Sequence, residues 1–255
     1  MKNYFNIIIS CILLLISFAS VYNTTVDYEY ETYIRITETE KIEEIDPREF
    51  QNEDELLKNM AIDYFNVQSK NDKIVGWLNV PNIAYYPVMA YSDNQFYLTH
   101  NEYDRYSGNG IPFMNIESNY TFKDISLVHA HCCKSGKMFG KLRYYKDTKF
   151  FQKNDLICVF DGEYFYYYKP FSVFLIKDGV EFLKQKSLNE SERLSYFESI
   201  YERSMTKMEE GIVPDLTAQI LYLQTCDYTF TDARLIVASY CVRTIAYDPI
   251  IHGPF

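Results

Sequence analysis

Between Lys73 and Ile176 the chain is a succession of short apolar runs: IVGWLNV, AYYPVMAY, GIPFMNI, DISLVHAH, DLICVFD and EYFYYYKPFSVFLI. Turn residues such as Pro81-Asn82, Gly108-Asn109-Gly110 and Asp161-Gly162 cut them apart. Most of these runs are too short to bury one face of a helix, and many short strands at this spacing predict a mainly β fold, a closed antiparallel barrel. The 25 tyrosines suit such a fold, because aromatic rings pack well on half-buried pleated surfaces. Two last runs, ILYLQTC and RLIVASYCV, read as a terminal strand pair.

Helices interrupt this pattern at few places. Asp46 can cap a helix, Pro47 fits its first position and Glu49 completes a capping box. Leu57, Met60, Ala61, Tyr64 and Phe65 then follow at helical spacing, which predicts one apolar face laid on the barrel. Residues 138–142 read as a short helix. A longer one precedes the last two strands: Asn189 and Glu192 mark its start, and Leu194, Phe197, Ile200, Tyr201 and Met205 share a face.

The amino-terminal stretch is of another kind. From Tyr4 to Tyr22 the chain is apolar, interrupted only by Asn6, Ser10, Ser17 and Ser20. As a helix this run is roughly 28 Å long, close to the ~30 Å hydrocarbon core of a bilayer. Lys2 precedes it and acids follow, which orients the body outside the cell. A cleaved signal peptide is the competing reading, with Phe18-Ala19-Ser20 as a poor cleavage site. The expected organisation is an anchor over residues 1–24, an acidic extracellular spacer over 25–45 and a catalytic domain over 46–255.

Charge excludes one class of partner. The net charge of −10 is concentrated between Asp27 and Glu55, where twelve acids face three bases, while the chain from Leu56 onward carries only −2. No basic patch or Lys/Arg run points to nucleic acid.

The terminal strand pair is where chemistry gathers. Cys226 ends the first strand and Arg234 opens the second, after a seven-residue connection reading DYTFTDA. In a hairpin both fall at the same rim, where paired positions are ~4.5–5.5 Å apart. His131 stands at the end of another apolar strand, DISLVHAH. A cysteine nucleophile needs a group that takes its proton and later donates one to a leaving amine, and imidazole does both near neutral pH. Arginine keeps its charge and can support a developing oxyanion. Taken singly, a strand-end cysteine is more often a small buried hydrophobe, a lone histidine more often structural and a strand-end arginine a solvated charge. Convergence on one rim is what raises all three.

Six cysteines, at positions 11, 132, 133, 158, 226 and 241, show neither a CxxC pair nor the regular spacing of a disulfide framework. His129-Ala130-His131-Cys132-Cys133 offers zinc-ligand types, but contiguous ligands rarely wrap one ion tetrahedrally and no second ligand pair stands out. No metal and no cofactor are expected.

These residues resemble a known family. QTCDYTFTDARLIVAS is similar to the signature strand pair of the sortases, with Thr225-Cys226 in the place of TLxTC and Arg234 eight residues on. LVHAHCCKSGKMFGKL resembles the family's histidine segment, with Gly136 and Met138-Phe139 matching its Gly-x-Met-Phe element. DNQFYLTHNEYDRYSGNGIPFMN resembles the class B form, and the two longer helices also sit as they do in class B. The likeness covers roughly residues 72 to 245, with the segments in the right order. Ala130 replaces the usual glycine, Cys132 the usual polar residue after the histidine, and Asn115 stands where aspartate is common.

What the resemblance implies is a sortase-type β-barrel and a two-step acyl transfer. Cys226 would attack the bond after threonine in an Asn-Pro-x-Thr-x sorting signal and form a thioester. A cell-wall peptidoglycan amine would then resolve it. His131 would be general acid and base and Arg234 the oxyanion support, while Asn94, Leu98 and Thr225 would line the substrate groove. Its partners would be surface proteins bearing the sorting signal, the peptidoglycan precursor amine and the membrane of a Gram-positive-type envelope. Two other readings stay open at this point: a cysteine hydrolase that uses water as acceptor, and a catalytically silent, membrane-tethered barrel that binds peptides.

Overall fold

The computed structural model describes residues 53–118, 120–178, 188–206, 214 and 217–253. The apolar run, the acidic spacer and the expected helix start at Asp46 lie outside the described residues. Among the described residues no helix is long and apolar enough to cross a membrane.

Eight strands close into a barrel: β1 (Ile74–Val80), β2 (Ala84–Met89), β3 (Phe113–Met114), β4 (Ile125–His129), β5 (Ile157–Phe160), β6 (Tyr164–Lys177), β7 (Ile220–Cys226) and β8 (Ala233–Ala246). Their order around the barrel is β1-β2-β3-β4-β7-β8-β6-β5. The expected closed barrel is present, and most of its pairings are antiparallel. Two are parallel: β2 with β3, through a single pair at Met89 and Phe113, and β4 with β7, from Ile125↔Ile220 to His129↔Gln224. A parallel neighbour requires a crossover rather than a hairpin. Here the crossover between β4 and β7 contains β5, β6 and two helices.

Helix α1 (Glu53–Gln68) buries Leu57, Met60, Ala61 and Tyr64, as its spacing predicts. The short helix expected over 138–142 is displaced. Met138 adopts a left-handed φ of 54°, and Gly140 packs so closely on Cys133 that a Cβ there would lie 2.2 Å from the Cys133 carbonyl oxygen. The chain therefore turns through these residues and only then coils, as a 3-10 turn over Leu142–Lys146 followed by α2 (Thr148–Lys153).

Helix α3 (Glu190–Glu202) has the capping box read from its sequence: the Asn189 side chain accepts from the Glu192 amide at 3.0 Å, and the Glu192 carboxylate accepts from the Asn189 amide at 3.3 Å. Its buried face differs from the expected one. Arg193, Tyr196, Phe197 and Ile200 face inward, while Leu194 is exposed and Met205 lies beyond the helix end. Arg193 explains the rotation. Its guanidinium pairs with Asp124 at 2.9 Å, donates to the Ala218 carbonyl and lies over the Phe197 ring, so its charge enters the interface paired, with Nε alone left without a hydrogen-bond acceptor.

Alternation along the strands separates two apolar layers. Val128, Leu221, Leu223, Leu235 and Val237 join the larger core, whereas Ile125, Leu127, Ile220, Tyr222, Ile236 and Ala238 pack with the α3 side chains. A helix cannot sit inside a filled eight-strand barrel, so the second set marks the outer face. Phe197 is fully buried at the centre of that outer layer. Phe197→Ala is expected to cost about 3–5 kcal/mol, read as a lower midpoint in urea denaturation of the full-length chain. A shift below about 1 kcal/mol would show that α3 is not anchored through this ring.

Candidate active site

The outer face carries more than the α3 layer. Continuing the same alternation past Leu127, Tyr222 and Ile236 places His129, Gln224, Cys226 and Arg234 on the same side of the sheet. Helix α3 covers the first part of this face, packing in one apolar cluster with Leu127, Tyr222 and Ile236. Beyond them the strand ends are half-buried, not sealed. A shallow floor of polar side chains is left at one rim of the barrel.

Cys226 and Arg234 are a Cα-paired position in the β7–β8 ladder. The local reason is the turn: Ala233 donates to the Phe230 carbonyl at 3.1 Å, Asp227 donates to Ala233 at 2.9 Å, and Asp232 takes the left-handed φ of 60° that the turn needs. His131 arrives from the other side. The parallel ladder ends at His129↔Gln224, and the Ala130 amide still donates to the Gln224 carbonyl at 3.2 Å. Two residues further along each strand stand His131 and Cys226, on neighbouring strands ~4.8 Å apart. The β4–β7–β8 register thus brings the three expected residues to one rim.

The imidazole of His131 has a specific partner. Its Nε2 lies 2.9 Å from the Leu98 carbonyl oxygen. A carbonyl only accepts, so Nε2 carries the proton and, in the neutral ring, Nδ1 is the basic atom. The second histidine is held in the opposite sense. The Asn115 carboxamide oxygen accepts from the Glu117 amide at 2.9 Å, which turns Nδ2 toward His129 Nε2 at 3.0 Å. Burial, and next the Arg234 charge, bring the His129 pKa down to about 4, with Asp178 opposing. His129 is therefore a neutral acceptor around neutral pH and cannot serve there as a proton shuttle. Of the two histidines in the motif, His131 is the one whose unbonded ring nitrogen, Nδ1, is the basic atom of the neutral ring.

Arg234 donates through one terminal nitrogen to the Asp178 carboxylate and through the other to the Ala233 carbonyl at 3.1 Å. Asp178 directly follows β6, the other neighbour of β8, and no local spacing in the sequence relates it to Arg234. A guanidinium has five N–H donors, so these two bonds leave others to face a ligand.

Asp227, next in the chain after Cys226, is nearly inaccessible. It pairs with Lys146 and accepts from the Thr229 amide at 2.9 Å and hydroxyl at 2.5 Å. Its charge is spent on the β7–β8 turn, not on the histidine. The remaining expected residues divide. The Asn94 carboxamide oxygen accepts from the Ile116 amide at 2.9 Å and so ties its loop to the segment after β3. Leu98 is half-buried beside His131. Thr225 is not on the groove floor. Alternation turns it inward, where it is 2% exposed and its hydroxyl donates to the Ala130 carbonyl at 2.8 Å, stitching β7 to β4.

Burial raises the thiols of Cys132, to about 11, and of Cys133 and Cys158, which disfavours their thiolate forms. Among the described residues no cysteines are paired, and no three His, Cys, Asp or Glu side chains are placed to hold a metal.

Chemically, a thiol flanked by an oriented imidazole and a guanidinium suits acyl transfer through a thioester. Similarity to known proteins points the same way. No protein-family model matches the chain. Sortase B of Listeria monocytogenes is 24% identical over 164 residues, 64% of this chain and 66% of that relative, a little under two thirds of its length. The crystal structure of Clostridium perfringens sortase B superposes with a TM-score of 0.65 at 26% identity, over 70% of this chain and 99% of that one. A Staphylococcus aureus sortase B–substrate complex superposes with a TM-score of 0.66 over 77% of this chain and 94% of that one; at 18% identity it speaks to the fold alone. The barrel, the strand-end residues and these relatives agree, and the chain is similar in sequence and in fold to the class B sortases.

Proposed function

We propose that this chain cleaves a C-terminal sorting signal of the Asn-Pro-x-Thr-x type through a Cys226 thioester and transfers the shortened protein to a peptidoglycan amine. The observation that carries this reading is the register that ends β4, β7 and β8 at one rim, with His131, Cys226 and Arg234 at their ends.

The steps follow from the groups. His131 Nδ1 takes the thiol proton as Cys226 sulfur attacks the threonine carbonyl carbon. The free N–H donors of Arg234 bear the negative charge that develops on the carbonyl oxygen. The tetrahedral adduct collapses, the C–N bond breaks, and the protonated imidazole gives its proton to the departing amine. An acceptor amine then attacks the thioester and loses its proton to Nδ1. The new amide forms as the C–S bond breaks, and the imidazolium returns the proton to sulfur. Leu98, Asn94 and the neutral His129 border the groove in which the signal would lie, and Thr225 acts from beneath by holding β7 to β4.

The substrate and acceptor partners belong to the outer surface of a Gram-positive-type envelope, where the apolar run at residues 4–22 would tether the enzyme beside membrane-bound substrates. Tethering raises the effective concentration of a co-anchored partner without any new contact.

The full-length chain incubated with an Asn-Pro-x-Thr-x peptide is expected to show a covalent acyl mass on Cys226, and Cys226→Ala to show none and to leave the peptide intact. Normal cleavage by Cys226→Ala would end this reading in favour of another nucleophile, and absence of both adduct and cleavage in the unaltered protein would favour a silent binding barrel. With an added amine, product carrying that amine means transfer, whereas free acid alone means hydrolysis. Replacing Arg234 by Ala should lower turnover by roughly 10²–10³-fold, the scale of losing one oxyanion donor. A change under about twofold would remove it from the mechanism.

A further inference from the structure

The carbonyl that sets the His131 tautomer belongs to a short 3-10 turn, Phe96–Leu98, in a long connection between β2 and β3. Such a turn is weak by itself. What fixes it is Tyr97. Its ring is 1% exposed, its carbonyl accepts from the Ile111 amide at 3.0 Å, and its hydroxyl donates to the Asp104 carboxylate at 2.8 Å.

Asp104 is the point where three elements meet. Beside Tyr97 it accepts from Asn71 Nδ2, at the end of the turn after α1, at 3.1 Å. Its other oxygen takes the ammonium of Lys73, just before β1. Asn71 reinforces the junction by donating to the Glu102 carbonyl at 3.0 Å and accepting from the Lys73 amide at 3.1 Å. Asp104 itself holds a left-handed φ of 58°, a turn conformation that aspartate adopts more readily than most residues other than glycine.

The direction of each bond is fixed as well. Burial works to raise the Asp104 carboxyl, but hydrogen bonds from Lys73 and Tyr97 outweigh it and leave the pKa below the usual value. Burial first, and then Asp104, push the Tyr97 phenol upward. The carboxylate therefore accepts and the phenol donates throughout the neutral range. On the far side Gly110, with φ of 60°, closes the clamp: a Cβ there would lie 2.4 Å from the Tyr97 carbonyl oxygen and 2.7 Å from that of Leu98. The Leu98 carbonyl is thus held between a carboxylate-anchored neighbour and a close-packed glycine.

We propose that Asp104 is a positioning residue for His131, acting through Tyr97 to hold the Leu98 carbonyl on Nε2 and so keep Nδ1 unprotonated for Cys226. The proposal rests on the reading of His131 as the acid and base. It supplies the orienting group that Asp227, committed to Lys146, does not provide.

The test uses the full-length chain with 15N-labelled histidine, the His131 signals being assigned by their loss in His131→Asn. In Tyr97→Phe, which keeps the ring and removes one bond, and in Asp104→Asn, the His131 nitrogens are expected to move from the Nε2–H pattern toward a mixture of tautomers. Peptide cleavage should fall by roughly 10- to 10²-fold in kcat with KM nearly unchanged, the scale of a small misplacement of a catalytic group. Tyr166→Phe is the comparison, since Tyr166 donates to Asp161 at 2.8 Å in the β5–β6 turn region and is equally buried. It should lower stability without moving the His131 signals. Unchanged His131 signals and kcat in both Tyr97→Phe and Asp104→Asn would overturn the inference, as would an equal response in Tyr166→Phe. Failure of His131→Ala to stop cleavage would instead sink the reading of the site. Should Asp104→Asn not fold, Tyr97→Phe decides alone.

Discussion

The parallel ladder between β4 and β7 is the constraint on which the rest depends. β7 and β8 are neighbours in sequence and could pair by a hairpin in many folds, so Cys226 and Arg234 need only local order. His131 lies far from both in the chain. It reaches them because five consecutive residue pairs, Ile125↔Ile220 to His129↔Gln224, align the two strands in one direction. A slip of one residue would turn His129 and His131 to the opposite face from Cys226. The register is protected by what lies on both sides of it. Val128, Leu221 and Leu223 need the barrel core, Ile125, Leu127, Ile220 and Tyr222 need α3, and Thr225 locks the end through the Ala130 carbonyl. Stability and geometry of the site are in this sense the same interaction.

Much of this could be read from the chain before the structure, because the relevant signals are local. Alternation marked β7 and β8, the Asn189–Glu192 pair marked the start of α3, and the helical stripe from Leu57 to Tyr64 marked the buried face of α1. What escaped has a common cause. The parallel direction of β4 against β7 is decided by a crossover through β5, β6 and α3, and no window of sequence contains it. Asp178 meets Arg234 only because β6 and β8 pair along their whole length. The buried face of α3 was misjudged because hydrophobicity ranks Leu194 above Arg193, whereas the fold buries the arginine with Asp124, the Ala218 carbonyl and the Phe197 ring as partners. Thr225 sits beside the nucleophile in sequence, but on a strand the next residue is on the other side of the sheet.

The two histidines of the motif show how environment separates groups that sequence leaves equal. Both stand at the end of β4 with the same parity. His129 accepts from an amide nitrogen, is desolvated and feels the Arg234 charge, all of which disfavour its protonated form. His131 donates to a carbonyl oxygen, which favours a protonated Nε2 and leaves Nδ1 basic. One imidazole is thereby a neutral acceptor and the other keeps a basic nitrogen free, with no carboxylate touching either ring among the bonds described. Asp227, the nearest acid in sequence, is drawn away by Lys146.

A carbonyl orients a histidine differently from a carboxylate. It selects the tautomer by accepting a hydrogen bond, but its partial charge stabilises an imidazolium less than a full negative charge would. Nor can it follow the ring as a side chain can, since a backbone carbonyl moves only with its loop. The demand for precision is therefore passed to the segment around Leu98. That segment answers it with buried Tyr97, the Asp104 junction and the close approach of Gly110, and with a stack of Tyr91, Phe96 and His100 whose successive ring centroids are 4.2 and 4.0 Å apart. Lys73, which pairs with Asp104, also lies over the Tyr91 and Phe96 rings, so the ionic junction and the aromatic stack share one cation. An arrangement that spends a buried tyrosine, a carboxylate and a glycine on the placement of one oxygen is understandable if that oxygen decides which nitrogen of His131 is free.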